Sequence, residues 1–365
     1  MGFWRNQLSG PTDPARDAGW ENPPKRTGFF TDTSICIGCK ACEVACKEWN
    51  GIPMDRLGMT GDSYDNTISL GASTWRHVAF VEQGSDRVAR ARAAGSQLVD
   101  LGMPTMRTAD PLPRATQPRV EDAAPTGLPL DGPGTAMSAV SANANPLTDP
   151  EAARRAAADA LAAGTVPDFR WLIASDVCKH CTHAACLDVC PTGSLFRTEF
   201  GTVVVQDDIC NGCGYCVAAC PFGVIERRER PDGQTGAVKN EGIAQKCTLC
   251  YDRIGADQTP ACAQACPTTS IQYGDLDDMR ARAQSRVEAL HEQGYTEARL
   301  YGASENDGVG GTGSVFLLLD EPEVYGLPPD PVVTTADLPD IFSKAGWAGV
   351  AMLGLAAVSF LGRRS

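Results

Sequence analysis

The chain's sixteen cysteines fall in four groups of four: Cys36, Cys39, Cys42 and Cys46; Cys178, Cys181, Cys186 and Cys190; Cys210, Cys213, Cys216 and Cys220; Cys247, Cys250, Cys262 and Cys266. The first group, CIGCKACEVAC, spaces its thiols C-x2-C-x2-C-x3-C. A cubane 4Fe-4S cluster needs four thiolates, and the x2, x2 spacing lets three successive sulfurs wrap one cube on a tight loop. Three residues later the chain has started a helix, so the last cysteine points away; in two-cluster ferredoxins it ligates the other cluster. Gly38, Gly212 and Gly214 suit such loops, since positive φ lets backbone N–H groups approach inorganic sulfide. Pro191, Pro221 and Pro267 follow the last cysteine of groups two, three and four, and CNGCGYCVAACP (210–221) is the strictest form of the run.

The groups are not copies. Group one has Lys47 instead of proline, group two opens to x4 in CTHAAC (181–186), and group four opens to x11 between Cys250 and Cys262, while all keep the final x3. Structural zinc prefers two C-x2-C pairs a dozen or more residues apart, which only group four resembles. Disulfides are poorly served by thiols three residues apart on a loop, in a chain long enough not to need staples. Four oxidised clusters, each about -2 with its thiolates, would take the formal charge of -13 to about -21. Lys40, Lys179 and Lys246 lie beside ligands, either tuning potentials or as solvated loop lysines. His180 and His183, inside group two, either hydrogen-bond a sulfide or serve as plain loop donors.

These thiols must be held by surrounding elements. STWRHVAFVE (73–82) alternates as a strand does, GTVVVQ (201–206) is strand-like, and SVFLLL (314–319) reads as a buried strand. Leu276, Met279, Ala283, Val287 and Leu290 share one face of a helix begun by Asp275 and stopped near Gly294. The fold class is α+β. From about Ser85 to Thr165 the chain is rich in Ala, Pro, Asp, Thr and Arg without cysteine, which predicts an inserted, weakly packed surface segment. One helix is expected in it near 150–163, with Asp149 as cap, Pro150 at the first position and Gly164 as stop. GVGGTG (308–313) lacks the Lys-Ser/Thr of a phosphate loop and reads as a turn.

The uncharged AGWAGVAMLGLAAVSFLG (345–362), followed by Arg363 and Arg364, is short but sufficient for one membrane span, which takes about 17 to 25 residues. Its small residues and arginine stop fit an anchor better than a core helix. Arg363 and Arg364 on one side, against Asp337, Asp340 and a lone Lys344 on the other, place the C-terminus in the cytoplasm and the cluster domain outside. MGFWRNQLSG has no apolar core or cleavage site of a secretory signal, so export is expected to rely on a partner. With 45 acidic residues against 32 basic ones, nucleic acid is an unsuitable partner. His77, His180, His183 and His291 all lie outside 345–362, so the span offers no pair of haem ligands. No arrangement of nucleophile and base makes the chain an enzyme on its own.

Taken with DTSICIGCKACEVACKEWN (32–50), YDN (64–66), KCTLCYDR (246–253), PACAQACPT (260–268), RVEALHEQGY (286–295), LYG (300–302), GVGGT (308–312) and YGLPPDP (325–331), the sequence resembles the iron–sulfur beta subunit of membrane-bound respiratory formate dehydrogenases. The likeness covers most of the chain except about 85–165; the cysteine runs alone would specify only the wider class of four-cluster subunits of molybdopterin enzymes. The resemblance implies two ferredoxin-like subdomains with nested ligation of four 4Fe-4S clusters. Cys36, Cys39, Cys42 and Cys266 would hold the first, Cys46, Cys247, Cys250 and Cys262 the second, Cys178, Cys181, Cys186 and Cys220 the third, and Cys190, Cys210, Cys213 and Cys216 the fourth. The expected organisation is 1–84 (N-terminal arm and group one), 85–165 (insertion), 166–240 (second subdomain), 241–340 (group four, helix and extension) and 341–365 (anchor). Its implied partners are a catalytic subunit with a molybdenum or tungsten pterin and a membrane cytochrome b that reduces quinone, at the inner membrane. The alternatives are the same relay in a sulfur-compound, sulfoxide or nitrate reductase, and, in another class, a zinc-bound scaffold protein.

Overall fold

In a computed structural model of the chain, residues 14–55, 67, 69–100, 169–231, 234–333, 335 and 338–361 are described. TGFFTD forms strand β1 (Thr27–Asp32), whose residues are buried from Gly28 onward, as in a strand covered on both faces. It lies inside a four-stranded sheet of order β8-β1-β10-β9, with β8 Ile271–Asp275, β9 Arg299–Tyr301 and β10 Ser314–Leu318. β1 runs parallel to β10, with Phe29 opposite Ser314, and antiparallel to β8, with Phe29 opposite Tyr273. Such pairing ties residues near the start of the chain to residues near its end.

Between these strands come helix α1 (Ala41–Asn50), strand β2 (Arg76–Gly84), helix α2 (Ser85–Asp100) and strand β3 (Phe169–Val177), which pairs with β2. Short elements follow: helix α3 (Ala185–Asp188), hairpin β4 (Leu195–Arg197) with β5 (Val203–Val205), helix α4 (Tyr215–Ala219), hairpin β6 (Glu226–Arg227) with β7 (Ala244–Gln245), and helices α5 (Tyr251–Ile254) and α6 (Ala261–Gln264). Helix α7 (Leu276–Glu292) buries Leu276, Met279, Ala283, Val287 and Leu290, the face read from their spacing. The Asp275 carboxylate accepts from Asp277 N–H as its cap. That face packs on Phe30, Val315 and Leu317 of the sheet.

The chain divides into two units, residues 1–105 with 171–365, and residues 106–170; of the second only Phe169 and Arg170 are described. The helix expected near 150–163 lies outside the described residues, as do YDN (64–66) and Arg363 and Arg364. Two expectations need correcting. The segment from Ser85 opens as helix α2, packed through Ala91 and Gly95 rather than loose: a Cβ at Gly95 would meet Thr296 O at 2.4 Å, and Ser96 Oγ lies 3.1 Å from Thr296 Oγ1. Strand β2 starts at Arg76 and does not alternate, because its first three residues, Arg76, His77 and Val78, are all buried.

The last helix, α8 (Leu338–Leu361), exposes Phe342, Trp347, Leu353 and Leu355, each more than 70% accessible. Its stretch Ile341–Ser359 is the one candidate among the described residues that is long and apolar enough to cross a membrane.

Candidate metal centres

The sheet decides which cysteine groups meet. Group one follows β1 and group four precedes β8, and the two ends are clamped: Asp32 N–H donates to Ser270 O at 2.8 Å, and Ser270 Oγ donates to Asp32 O at 2.7 Å. Helix α1, carrying Cys42 and Cys46, packs on α6, which carries Cys262. In the same way α3, with Cys186, packs on α4, with Cys216.

Each run turns through left-handed backbone, which aims successive N–H groups inward. Gly38 and Lys40 do this in group one, and Gly212 and Gly214 in group three. Groups two and four spend non-glycine residues there: His180 at φ 45°, Leu249 at φ 60° and Cys250 at φ 50°. His180 is held in place by neighbours. Its Nδ1 accepts from Val203 N–H at 3.1 Å, and its carbonyl accepts from Arg26 Nη2 at 2.7 Å. The turn at 308–313 supports the same loop, since Thr182 N–H donates to Gly311 O at 3.0 Å and His183 N–H to Val309 O at 2.8 Å.

One cavity is walled by Cys36, Cys39, Cys42 and Cys266, with Ser175 and Ser270 beside them. A second is walled by Cys178, Cys181, Cys186 and Cys220, together with Lys179, His180 and Lys246. The remaining thiols also have company. Burial raises the Cys46 thiol strongly, and Cys247, Cys262 and Cys250 are the neighbours that raise it further. Burial lifts Cys216 to about 11, helped by Cys210, Cys213 and Cys190. Among the described residues no three His, Cys, Asp or Glu side chains converge closely enough to hold a single metal ion.

Burial also pushes Cys42 to about 11, Cys250 to about 11 and Cys186 to about 12, so without metal these are neutral thiols that give up a proton on ligation. Cys190 differs: burial pushes it up, but hydrogen bonds from the Ser194 hydroxyl, Leu195 N–H and the Thr192 hydroxyl and N–H outweigh this and bring it to about 6. Cys247 Sγ accepts from Leu249 N–H at 3.3 Å.

The cations read from the sequence occupy different settings. Lys179 and Lys246 are buried, at 0% and 2% exposure. Lys179 Nζ pairs with Asp176 and stacks 4.8 Å from the Phe316 ring centre. Lys246 Nζ donates to Val203 O and, at 3.0 Å, to Cys247 O, and pairs with no carboxylate among the described residues. Lys40 has its own partner in Glu43 at 3.6 Å. His180 Nε2 is buried without a hydrogen-bond partner among the described residues, and it lines the second cavity. An all-thiol donor set, an N–H aimed at sulfur and buried cations fit an anionic iron–sulfur group.

His77 and His291 are placed elsewhere: His77 Nδ1 lies 3.0 Å from Thr67 Oγ1, and His291 Nε2 lies 2.8 Å from Ala298 O. Sequence reasoning passed over Arg76 and Glu43, both buried. The signal was present for Arg76, an arginine within an apolar strand pattern.

A 4Fe-4S dicluster domain family matches residues 169–276. A formate dehydrogenase iron–sulfur subunit of Haemophilus influenzae is 31% identical over 332 residues, covering 89% of this chain and 76% of that protein. The nitrate-inducible formate dehydrogenase iron–sulfur subunit of Escherichia coli is 31% identical over 334 residues, with 90% and 79% covered. A thiosulfate reductase electron transfer subunit of Salmonella typhi is 48% identical over 102 residues, 28% of this chain and 48% of that protein.

Proposed function

The chain belongs to the family of formate dehydrogenase iron–sulfur subunits, and from that premise we propose that it relays electrons released from formate on a pterin-bearing catalytic partner to a membrane cytochrome b and quinone. It is an electron-transfer subunit rather than the catalytic one. When bound, each cluster takes up and passes on one electron at a time. The chain's own residues hold four such clusters in the nested sets: Cys36, Cys39, Cys42 and Cys266; Cys46, Cys247, Cys250 and Cys262; Cys178, Cys181, Cys186 and Cys220; Cys190, Cys210, Cys213 and Cys216. The observation carrying this reading is that both cysteine-walled cavities draw three thiols from one run and the last thiol of another. The neighbours of Cys46 and Cys216 support the other two sets.

Groups one and four then form one ferredoxin-like subdomain and groups two and three the other, with 85–165 inserted between group one and the second subdomain. Helix α8 anchors the relay in the inner membrane, C-terminus in the cytoplasm and clusters outside. Its long exposed apolar surface supports the anchor. Protease added to intact spheroplasts is expected to digest the cluster domain; cleavage only in inverted vesicles reverses the orientation.

The thiosulfate reductase subunit is more alike locally but over a small part of the chain, so formate is the preferred donor. The purified complex is expected to reduce its clusters within seconds of formate addition. Clusters that stay oxidised with formate but are reduced by another donor overturn the substrate and leave the relay standing.

A further inference from the structure

Arg76 opens strand β2 at 1% exposure, one of the largest fully buried side chains in the protein. Its Nη1 donates to Ser175 O at 3.2 Å and to Ser175 Oγ at 3.0 Å, and that hydroxyl lies 3.2 Å from Cys42 Sγ. The guanidinium carbon sits 4.9 Å from the Phe29 ring centre. Nε and Nη2 are buried with no hydrogen-bond partner among the described residues. Phe29, against which the guanidinium lies, shares one buried cluster with Cys42, Cys247 and Cys262, and Cys262, Cys42, Cys247 and Cys46 are the sulfurs whose charge Arg76 would feel.

A buried guanidinium with two idle donors is costly unless an anion meets it. The sulfurs around it come from two ligand sets: Cys42 from the first, and Cys46, Cys247 and Cys262 from the second. We propose that Arg76 is the shared counter-charge of the first and second clusters, turning its Nε–H and Nη2–H groups toward their sulfurs and raising both reduction potentials. The inference rests on the nested ligand sets. Each electron added makes a cluster more negative, and a fixed positive charge in a low-dielectric interior favours that state. Arginine suits the place better than lysine because its planar fork offers five donors and stays charged when buried.

The test is a redox titration of the intact purified complex, followed by electron paramagnetic resonance, with signals assigned through Cys42→Ala and Cys247→Ala. Arg76→Gln is expected to lower the reduction equilibrium constant at least tenfold, 59 mV for a one-electron couple, in the clusters of Cys42 and Cys247. The other two clusters keep their potentials, and Arg76→Lys shifts the same pair by less. An unshifted pair, a common shift of all four, or equal shifts from Gln and Lys overturns the proposal. Should Arg76→Gln lose its iron, Arg76→Lys decides: a downward shift confined to the pair supports the shared role, and none, or one spread over all four, overturns it. If Cys42→Ala and Cys247→Ala damage the same cluster, the nested reading itself fails, a result distinct from an unmoved potential.

Discussion

The two cysteine-walled cavities share a donor pattern and differ in charge. Around Cys36, Cys39, Cys42 and Cys266 the polar neighbours are the hydroxyls of Ser175 and Ser270 and a lysine, Lys40, neutralised by Glu43 at 3.6 Å. Around Cys178, Cys181, Cys186 and Cys220 stand Lys179, tied to Asp176, and Lys246, which donates to the carbonyls of Val203 and Cys247 and pairs with no carboxylate among the described residues. The spacing of the cysteines repeats the ligand geometry, while residues brought in by the fold set what each site does to an electron. The Lys246 ammonium in one buried wall and the Arg76 guanidinium behind the other each favour the reduced cluster, so the contrast lies in the lining lysines: Lys246 acts on its cavity, while Lys40 is cancelled by Glu43.

The harshest test of the shared pattern is removal of the distant ligand. Cys266→Ala is expected to cost the first cavity its cluster, lowering iron by about four per chain, although its other ligands lie at the far end of the sequence. Cys220→Ala is expected to do the same at Cys178. If the Cys266 variant disturbs only signals of Cys247, Cys250 and Cys262, the pairing is wrong.

Next in size is the charge difference. Lys246→Met is expected to lower the reduction constant of the Cys178 cluster by about tenfold, about 59 mV, and Lys40→Met to move the Cys36 cluster by less, since its Glu43 partner already cancels most of the charge. Equal shifts from the two substitutions remove the distinction.

A smaller effect belongs to the support of one cavity alone. Gly310 has φ 72°, and a Cβ there would lie 2.4 Å from His183 Cδ2. Gly310→Ala is expected to cost about 1–3 kcal/mol in chemical denaturation and to loosen group two while leaving group one's signals unchanged.

The mildest contrast is chemical. In chain stripped of iron, Cys190, near 6, is largely thiolate at pH 7, whereas Cys186, near 12, is a thiol. Iodoacetamide is therefore expected to label Cys190 first, and lowering the pH below 6 is expected to slow that labelling. Raising the pH toward 9 is expected to quicken labelling at Cys186 far more than at Cys190. Equal rates across pH 5–9 contradict the assignment.

Much of this was legible in the sequence for a physical reason: ligand spacing and helix periodicity are local. The buried face from Leu276 to Leu290 and the turn at 308–313 follow from short-range pattern. The role of that turn under group two was not legible, because Gly311 and Thr182 meet only through the tertiary fold. Helix α2 reads as loose because its segment is rich in Ala, Asp and Arg without cysteine, although the small Gly95 is what lets the helix approach Thr296 closely. Arg76 and Lys246 take their meaning from sulfurs remote in sequence, so charge alone did not separate Lys246 from Lys40.

The central claim, a relay of four cubane clusters, is tested most directly by metal and sulfide analysis of the purified protein. About sixteen iron and about sixteen acid-labile sulfide per chain, with negligible zinc, is the expected result. About eight of each would leave two of the four sites without a cluster, and zinc without sulfide would contradict the account outright.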